Sequence, residues 1–145
     1  SLIGVDTSFL VAFEVREHRL HDAARRFAKS RADETFGLAP QVLAEFVHVV
    51  TDDRRLERPL SMQDAIERAV VWWEAKEVVQ LFPAALGTRR FLEWLSEYRL
   101  GRKRILDTQL AALYSAHDIV AIVTTDARDF SLFPELAPIV LTEPA

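Results

Sequence analysis

The residues best able to do chemistry are four acids spread along the chain. Asp6 closes the apolar run Leu2-Ile3-Gly4-Val5, Glu45 lies within Gln41-Val42-Leu43-Ala44-Glu45-Phe46-Val47, Asp107 follows Ile105-Leu106, and Asp126 follows Ile122-Val123-Thr124-Thr125. Each alone has an ordinary reading. An Asp in front of a helix is a preferred N-cap worth about 1 kcal/mol, which would account for Asp6 or Asp107. Asp107 nevertheless shares a helical face with Leu110, Ala111 and Tyr114, which turns it inward. Glu45 has Val42 and Val49 on its own face. An ionised carboxylate there needs a partner, either an Arg or Lys or a metal ion. Brought together, the four would repel: like charges about 4 Å apart cost about 4 kcal/mol at an effective dielectric near 20, so such a cluster needs cations. The donors are hard oxygens, there is no cysteine, and His18, His21, His48 and His117 form no paired ligand motif. Magnesium or manganese is therefore expected rather than zinc.

For the acids to meet, the elements that carry them must converge. Residues 2–5 read as a strand that passes directly into a helix, with Asp6 at the junction. Residues 21–30 form an amphipathic helix, residues 35–39 a short strand, and Pro40 opens a helix through about residue 51. A further helix is expected over residues 61–76, with Ser61 as N-cap, followed by a β-branched strand over residues 78–82 that Pro83 ends. Residues 88–100 are helical, 101–104 a basic turn, 107–117 helical and 119–124 a buried strand, with residues 139–141 as a final edge strand. Strands separated by helices imply parallel crossovers. Parallel sheets are covered on both faces, which explains strands that are apolar throughout. In such sheets ligands bind beyond the carboxyl ends of the strands, where Asp6 and Asp126 fall and where a loop could bring Asp107.

Composition bounds the rest. A chain of 145 residues is the size of one domain (1–145) and buries roughly 70 % of its unfolded surface. With 50 % hydrophobic residues, four Gly and six Pro, it is globular and not disordered or collagen-like. Without cysteine, no disulfide framework is possible. No signal peptide and no apolar run of membrane-spanning length is visible, so a cytoplasmic location and no membrane partner are expected. A net charge of -4 excludes a protein that coats nucleic acid through bulk positive charge.

The ordered pieces Asp6-Thr7-Ser8, Glu45 in an early helix, Ile105-Leu106-Asp107 with Ala111-Ala112, and Thr124-Thr125-Asp126-Ala127-Arg128-Asp129-Phe130 resemble the signature of PIN domains, in particular VapC-type toxin ribonucleases. The resemblance spans nearly the whole chain. It implies an α/β fold with a mostly parallel sheet of about five strands flanked by helices, and an acidic quartet of Asp6, Glu45, Asp107 and Asp126. Thr124 would be the hydroxyl that orders the site, and Asp129 an auxiliary acid or a turn residue. The implied activity is magnesium- or manganese-dependent endoribonuclease cleavage that leaves a 5′-phosphate and a 3′-hydroxyl. The implied partners are single-stranded or looped RNA, a cognate antitoxin and a second copy of the chain.

Arg102, Lys103 and Arg104 could receive RNA phosphates beside Asp107, although a basic turn is more often only solvated; Arg16, Arg19, Arg54 and Arg55 are weaker candidates. The histidines read as surface or helix-end residues. Trp72, Trp73 and Trp94 read as core or interface anchors, with Trp72 or Trp73 contributing to an apolar groove that an antitoxin could cover. Residues 52–59 (DDRRLERP) and Trp72-Trp73 match nothing in the family pattern. Two other readings stay open: a PIN nuclease that processes RNA without being a toxin, and a silent interaction module whose acids are caps and salt bridges.

Overall fold

The computed structural model describes residues 2–143; Ser1 and the last two positions of the expected 1–145 domain lie outside the described residues. Its strands are β1 (Leu2–Val5), β2 (Thr35–Leu38), β3 (Val78–Gln80), β4 (Ala121–Thr124) and β5 (Ala137–Val140). They form one sheet in the order β3-β2-β1-β4-β5, and every pair is parallel. The helices are α1 (Thr7–Glu14), α2 (His21–Ser30), α3 (Pro40–Val50), α4 (Met62–Glu74), α5 (Ala85–Glu97) and α6 (Ile105–Ala116).

β1 is the central strand, and its register places Gly4 against both Gly37 of β2 and Ile122 of β4. Val5, Leu38, Ile122 and Val123 are completely buried, as expected of strands covered on both faces. Gly4 has a packing reason: a Cβ there would stand 2.6 Å from a ring carbon of Tyr114. That close approach lets the buried Tyr114 hydroxyl donate to the Val5 carbonyl at 2.6 Å and accept from the Ala39 amide at 3.4 Å. Tyr114 thus ties the carboxyl ends of β1 and β2, immediately before Asp6 and Pro40.

Local signals were followed closely. Pro40 occupies the first turn of α3, and the Ser61 hydroxyl accepts from the Asp64 amide at 3.1 Å to cap α4. Several boundaries differ from the sequence expectation: β3 ends at Gln80, β4 begins at Ala121, and α4 and α5 end at Glu74 and Glu97, each short of the expected range. α5 begins at Ala85, earlier than residue 88, and β5 spans Ala137–Val140 with Pro138 on the edge strand, where a missing amide is tolerated. α6 begins at Ile105 after a 3-10 turn over Arg102–Arg104, so Asp107 lies inside the first helical turn and is not its cap.

The three tryptophans anchor packing. Trp94 stacks on Phe133 with centroids 4.8 Å apart, and Trp73 meets Phe82 edge-on. Trp72 is edge-on to Phe13, and its indole N–H donates to Glu14 Oε2 at 2.7 Å. Trp72 also lines an apolar cavity of about 500 Å³ with Phe13, Phe36, Val71 and Val78.

Candidate active site

Asp6 occupies the step from β1 into α1. Its backbone is at the N-cap position, but its carboxylate makes no capping bond. Instead Asp6 Oδ2 accepts the Ser8 hydroxyl at 2.7 Å and the Thr124 hydroxyl at 2.8 Å. Those hydroxyls lie 3.1 Å apart, and Ser8 Oγ also accepts the Thr125 amide at 3.0 Å. The ends of β1 and β4 are thereby closed around a carboxylate only 5 % exposed. Burial, reinforced by the charge of Asp129, pushes its pKa up, against the two hydroxyls and the Thr7 backbone.

Glu45 and Asp107 arrive from two helices joined at their N-termini. Gln41 Nε2 of α3 donates to the Leu106 carbonyl of α6 at 3.2 Å. Among the described residues no Arg or Lys pairs with Glu45, so the salt-bridge alternative does not hold. Burial and then the charge of Asp6 push the Glu45 pKa up, with Gln41, Thr7 and His48 opposing. Asp107 is pushed up to about 7, first by burial and then by the charges of Asp129, Asp6 and Glu45, while Arg104 opposes.

The last two acids exchange their expected places. Asp129 lines the cavity with Asp6, Glu45 and Asp107, whereas Asp126 does not. The Asp126 carboxylate is turned to the exposed Arg128: Nε donates to Oδ1 at 3.1 Å and Nη2 to Oδ2 at 2.9 Å. Those bonds hold its pKa below the ordinary carboxylate value. Asp129 goes the other way, raised by burial and by the charge of Asp126. Sequence spacing places both acids after β4 but does not register that Arg128, two residues on, captures the first.

Arg104 also departs from expectation. Its Nη2 donates to the carbonyls of Arg128 at 2.8 Å and Asp129 at 3.1 Å, and Thr108 Oγ1 donates to its own carbonyl at 2.6 Å. Arg104 thus clamps the Asp129 turn against the start of α6. It is committed to the protein, while Arg102 and Lys103 stay exposed beside it. His18, which the sequence presents as a surface or helix-end residue, and Arg55, there only a weaker phosphate candidate, both line the acidic cavity; among the described residues they are the only lining residues whose side chains carry nitrogen. Burial, Arg19 and His21 hold the His18 pKa below the usual histidine value.

The cavity, about 290 Å³, opens beyond the carboxyl ends of β1 and β4. Its donor set is all oxygen apart from His18 and Arg55, which suits a hard divalent cation. Among the described residues no three acidic or histidine groups converge tightly enough to enclose an ion as they stand. Magnesium uses one or two carboxylates and keeps several waters, so a closed shell of protein ligands is not required of it.

A parallel sheet flanked by helices, with crowded carboxylates beyond its central strands, defines an α/β protein with an acidic site at the carboxyl ends of its strands. Residues 3–136 match the PIN domain family model, and the chain belongs to that family. Ribonuclease VapC43 of Mycobacterium tuberculosis is 31 % identical over 144 residues, covering 93 % of this chain and 92 % of that protein. VapC ribonuclease Mb2897 of Mycobacterium bovis aligns with the same identity and coverage. Among solved structures, Mycobacterium tuberculosis VapC20, a Sarcin-Ricin loop cleaving toxin, superposes with a TM-score of 0.72 at 19 % identity, covering 92 % of this chain and 95 % of that one. VapBC2 from Rickettsia felis, bound to a DNA fragment from its promoter, gives 0.69 at 17 % identity, covering 98 % and 100 %. At those identities the structural likeness speaks for the fold alone.

Proposed function

We propose that this chain is a metal-dependent endoribonuclease and the toxin of a VapBC-type pair, with Asp6, Glu45, Asp107 and Asp129 as its metal-binding acids. The carrying observation is that Asp6, Glu45, Asp107 and Asp129 line one cavity, where burial and the three neighbouring acids push the Asp107 carboxyl up to about 7 and, among the described residues, no ion pair compensates it. A site built that way gains most from a divalent cation, magnesium or manganese, because one ion relieves several repulsions at once. When bound, the ion activates water and stabilises charge on the phosphate and leaving oxygen.

The chain's own residues do the rest. Ser8 and Thr124 grip one oxygen of Asp6 with neutral donors and leave its negative charge uncancelled. The Gln41 bridge holds Glu45 and Asp107 at one mouth, and Arg104 presents Asp129 from the opposite turn. Arg102 and Lys103, exposed beside Asp107, take RNA phosphates. Asp126, tied to Arg128, supports that turn. Hydrolysis adds water to the phosphorus and breaks the bond to the 3′ oxygen, leaving a 5′-phosphate and a 3′-hydroxyl.

The proposal includes a second copy of the chain and a cognate antitoxin. Met62, Ile66, Val70 and Val71 of α4 are exposed, and Val71 continues into the apolar cavity beside Trp72, a surface suited to an amphipathic partner helix. No helix among the described residues is long and apolar enough to cross a membrane, and a cytoplasmic location is part of the proposal.

A melting curve with and without manganese, alongside cleavage of a single-stranded RNA, tests this. Binding to the folded state raises stability by about 2.7 kcal/mol at a hundredfold excess over the dissociation constant. A wild type with no metal-dependent shift and no RNA cleavage would replace the enzyme by the interaction module.

A further inference from the structure

The acidic cavity does not end at the acids. A second cavity of about 390 Å³ runs on from it, lined by Val15, Leu56 and Arg58 among others, and the two share His18 and Arg55 as a common wall. Arg55 and Arg58 belong to residues 52–59, the segment that follows no family pattern.

Both shared side chains are fixed so that donors remain free. His18 Nδ1 accepts the Leu20 amide at 3.0 Å, so that nitrogen carries no proton. The ring proton therefore sits on Nε2, which is a donor with no partner among the described residues. Asp52 builds the other half: its Oδ1 accepts the Arg54 amide at 2.9 Å, and its Oδ2 holds Arg55 Nε at 3.3 Å. That arrangement steadies one edge of the guanidinium and leaves its terminal nitrogens without a hydrogen-bond partner among the described residues. Two residues with unpartnered nitrogen donors thus belong to the lining of a cavity whose other polar side chains are carboxylates and hydroxyls.

We propose that His18 and Arg55 form a phosphate subsite for RNA, holding the backbone phosphate of the nucleotide next to the one cleaved. The subsite rests on the nuclease reading of the acidic cavity. A scissile phosphate among the acids requires its neighbour along the strand to leave through a wall that donates hydrogen bonds, and this wall does. In the far cavity Glu17 and Glu57 stand against the single charge of Arg58, so an anion is favoured at the shared boundary over a place deeper in. Arg offers a planar fork matched to two phosphate oxygens, a geometry Lys does not reproduce.

The test uses Arg55→Ala, Arg55→Lys and His18→Asn, the last keeping an acceptor for the Leu20 amide while deleting the Nε2 donor. Each is assayed for cleavage in manganese and for binding of a non-cleavable single-stranded RNA by anisotropy. Losing a hydrogen bond to a charged partner should lower kcat/KM and RNA affinity about tenfold or more for Arg55→Ala, with Arg55→Lys intermediate. One fewer phosphate contact should flatten the slope of log affinity against log salt by about 0.7.

A substrate with one neutral methylphosphonate beside the scissile position, its neighbouring sugar 2′-O-methylated, supplies a readout that a structural role would not move. It should impair wild type but cost the Arg55→Ala variant nothing further. Cleavage by wild type with unchanged kcat/KM and salt slope in both Arg55→Ala and His18→Asn overturns the subsite and leaves the nuclease intact. RNA binding that depends on Arg55 without any cleavage overturns the nuclease and keeps the subsite. Neither binding nor cleavage overturns both.

Discussion

Of the four segments that bring acids to the cavity, two hold them by opposite means. At the junction of β1 and α1, Asp6 is buried and gripped by two neutral hydroxyls, one from its own helix and one from β4. In the turn after β4, Asp126 is gripped by a guanidinium, and Asp129 is carried on a backbone that a second guanidinium clamps through carbonyls. A carboxylate oriented by hydroxyls keeps its charge available to a cation. One paired with arginine has it already neutralised. The turn therefore offers Asp129, whose side chain no arginine among the described residues pairs with, and withdraws Asp126.

The comparison breaks most visibly at Asp6. Asp6→Asn should reduce RNA cleavage by more than the ~100-fold loss that follows removal of an outer-shell partner. In metal-free buffer the same variant should melt higher than wild type, because its burial raises the cost of the ionised form. Calorimetry alongside a cleavage assay reads both, and a lower melting point would mean that the charge is already compensated. Thr124→Val removes a hydroxyl that orients Asp6 and should cost roughly 10- to 100-fold in activity or metal affinity.

The turn gives the next test. Asp129→Asn should lose about tenfold or more in manganese affinity, whereas Asp126→Asn, which breaks only a solvent-screened surface pair, should stay near wild type. Manganese titration of the two variants decides; the reverse order would return Asp126 to the quartet.

The smallest effect is on stability against pH. In the metal-free protein Asp107 holds its proton to about 7, against 3.8 for an ordinary aspartate, and Asp6, Glu45 and Asp129 shift the same way. Between those values the folded state binds more protons than the unfolded chain, so stability falls as pH rises from about 4 to about 7 and levels off above. Urea melts in chelator should show that decline, and manganese should flatten it. A rise over the same window would mean the acids are paired in the folded state.

Much of this was legible in residue order. Leu2-Ile3-Gly4-Val5 before Asp6-Thr7-Ser8 marked a strand entering a helix, Pro40 and Ser61 marked helix starts, and Val42 and Val49 placed Glu45 on an inward face. Each is a local preference acting over a few residues, which a sequence displays directly. The start of α6 was placed two residues late because a 3-10 turn leads into it, and such turns carry no distinct pattern. His18 gave no signal at all. Its part in the cavity depends on Arg55 and on acids up to 111 residues away, among them Asp129.

By itself the sequence determined the parallel α/β framework and offered three acids, one after β1 and one each on α3 and α6, whose hard oxygens suit a divalent cation. Periodicity, caps and donor chemistry are properties of neighbours along the chain. Only the tertiary structure decided which acid after β4 lines the cavity, that Arg104 serves the protein and not the solvent, and that His18 and Arg55 share the cavity with the carboxylates. Those outcomes depend on competition between charged side chains for partners, and the winner is set by distance in space.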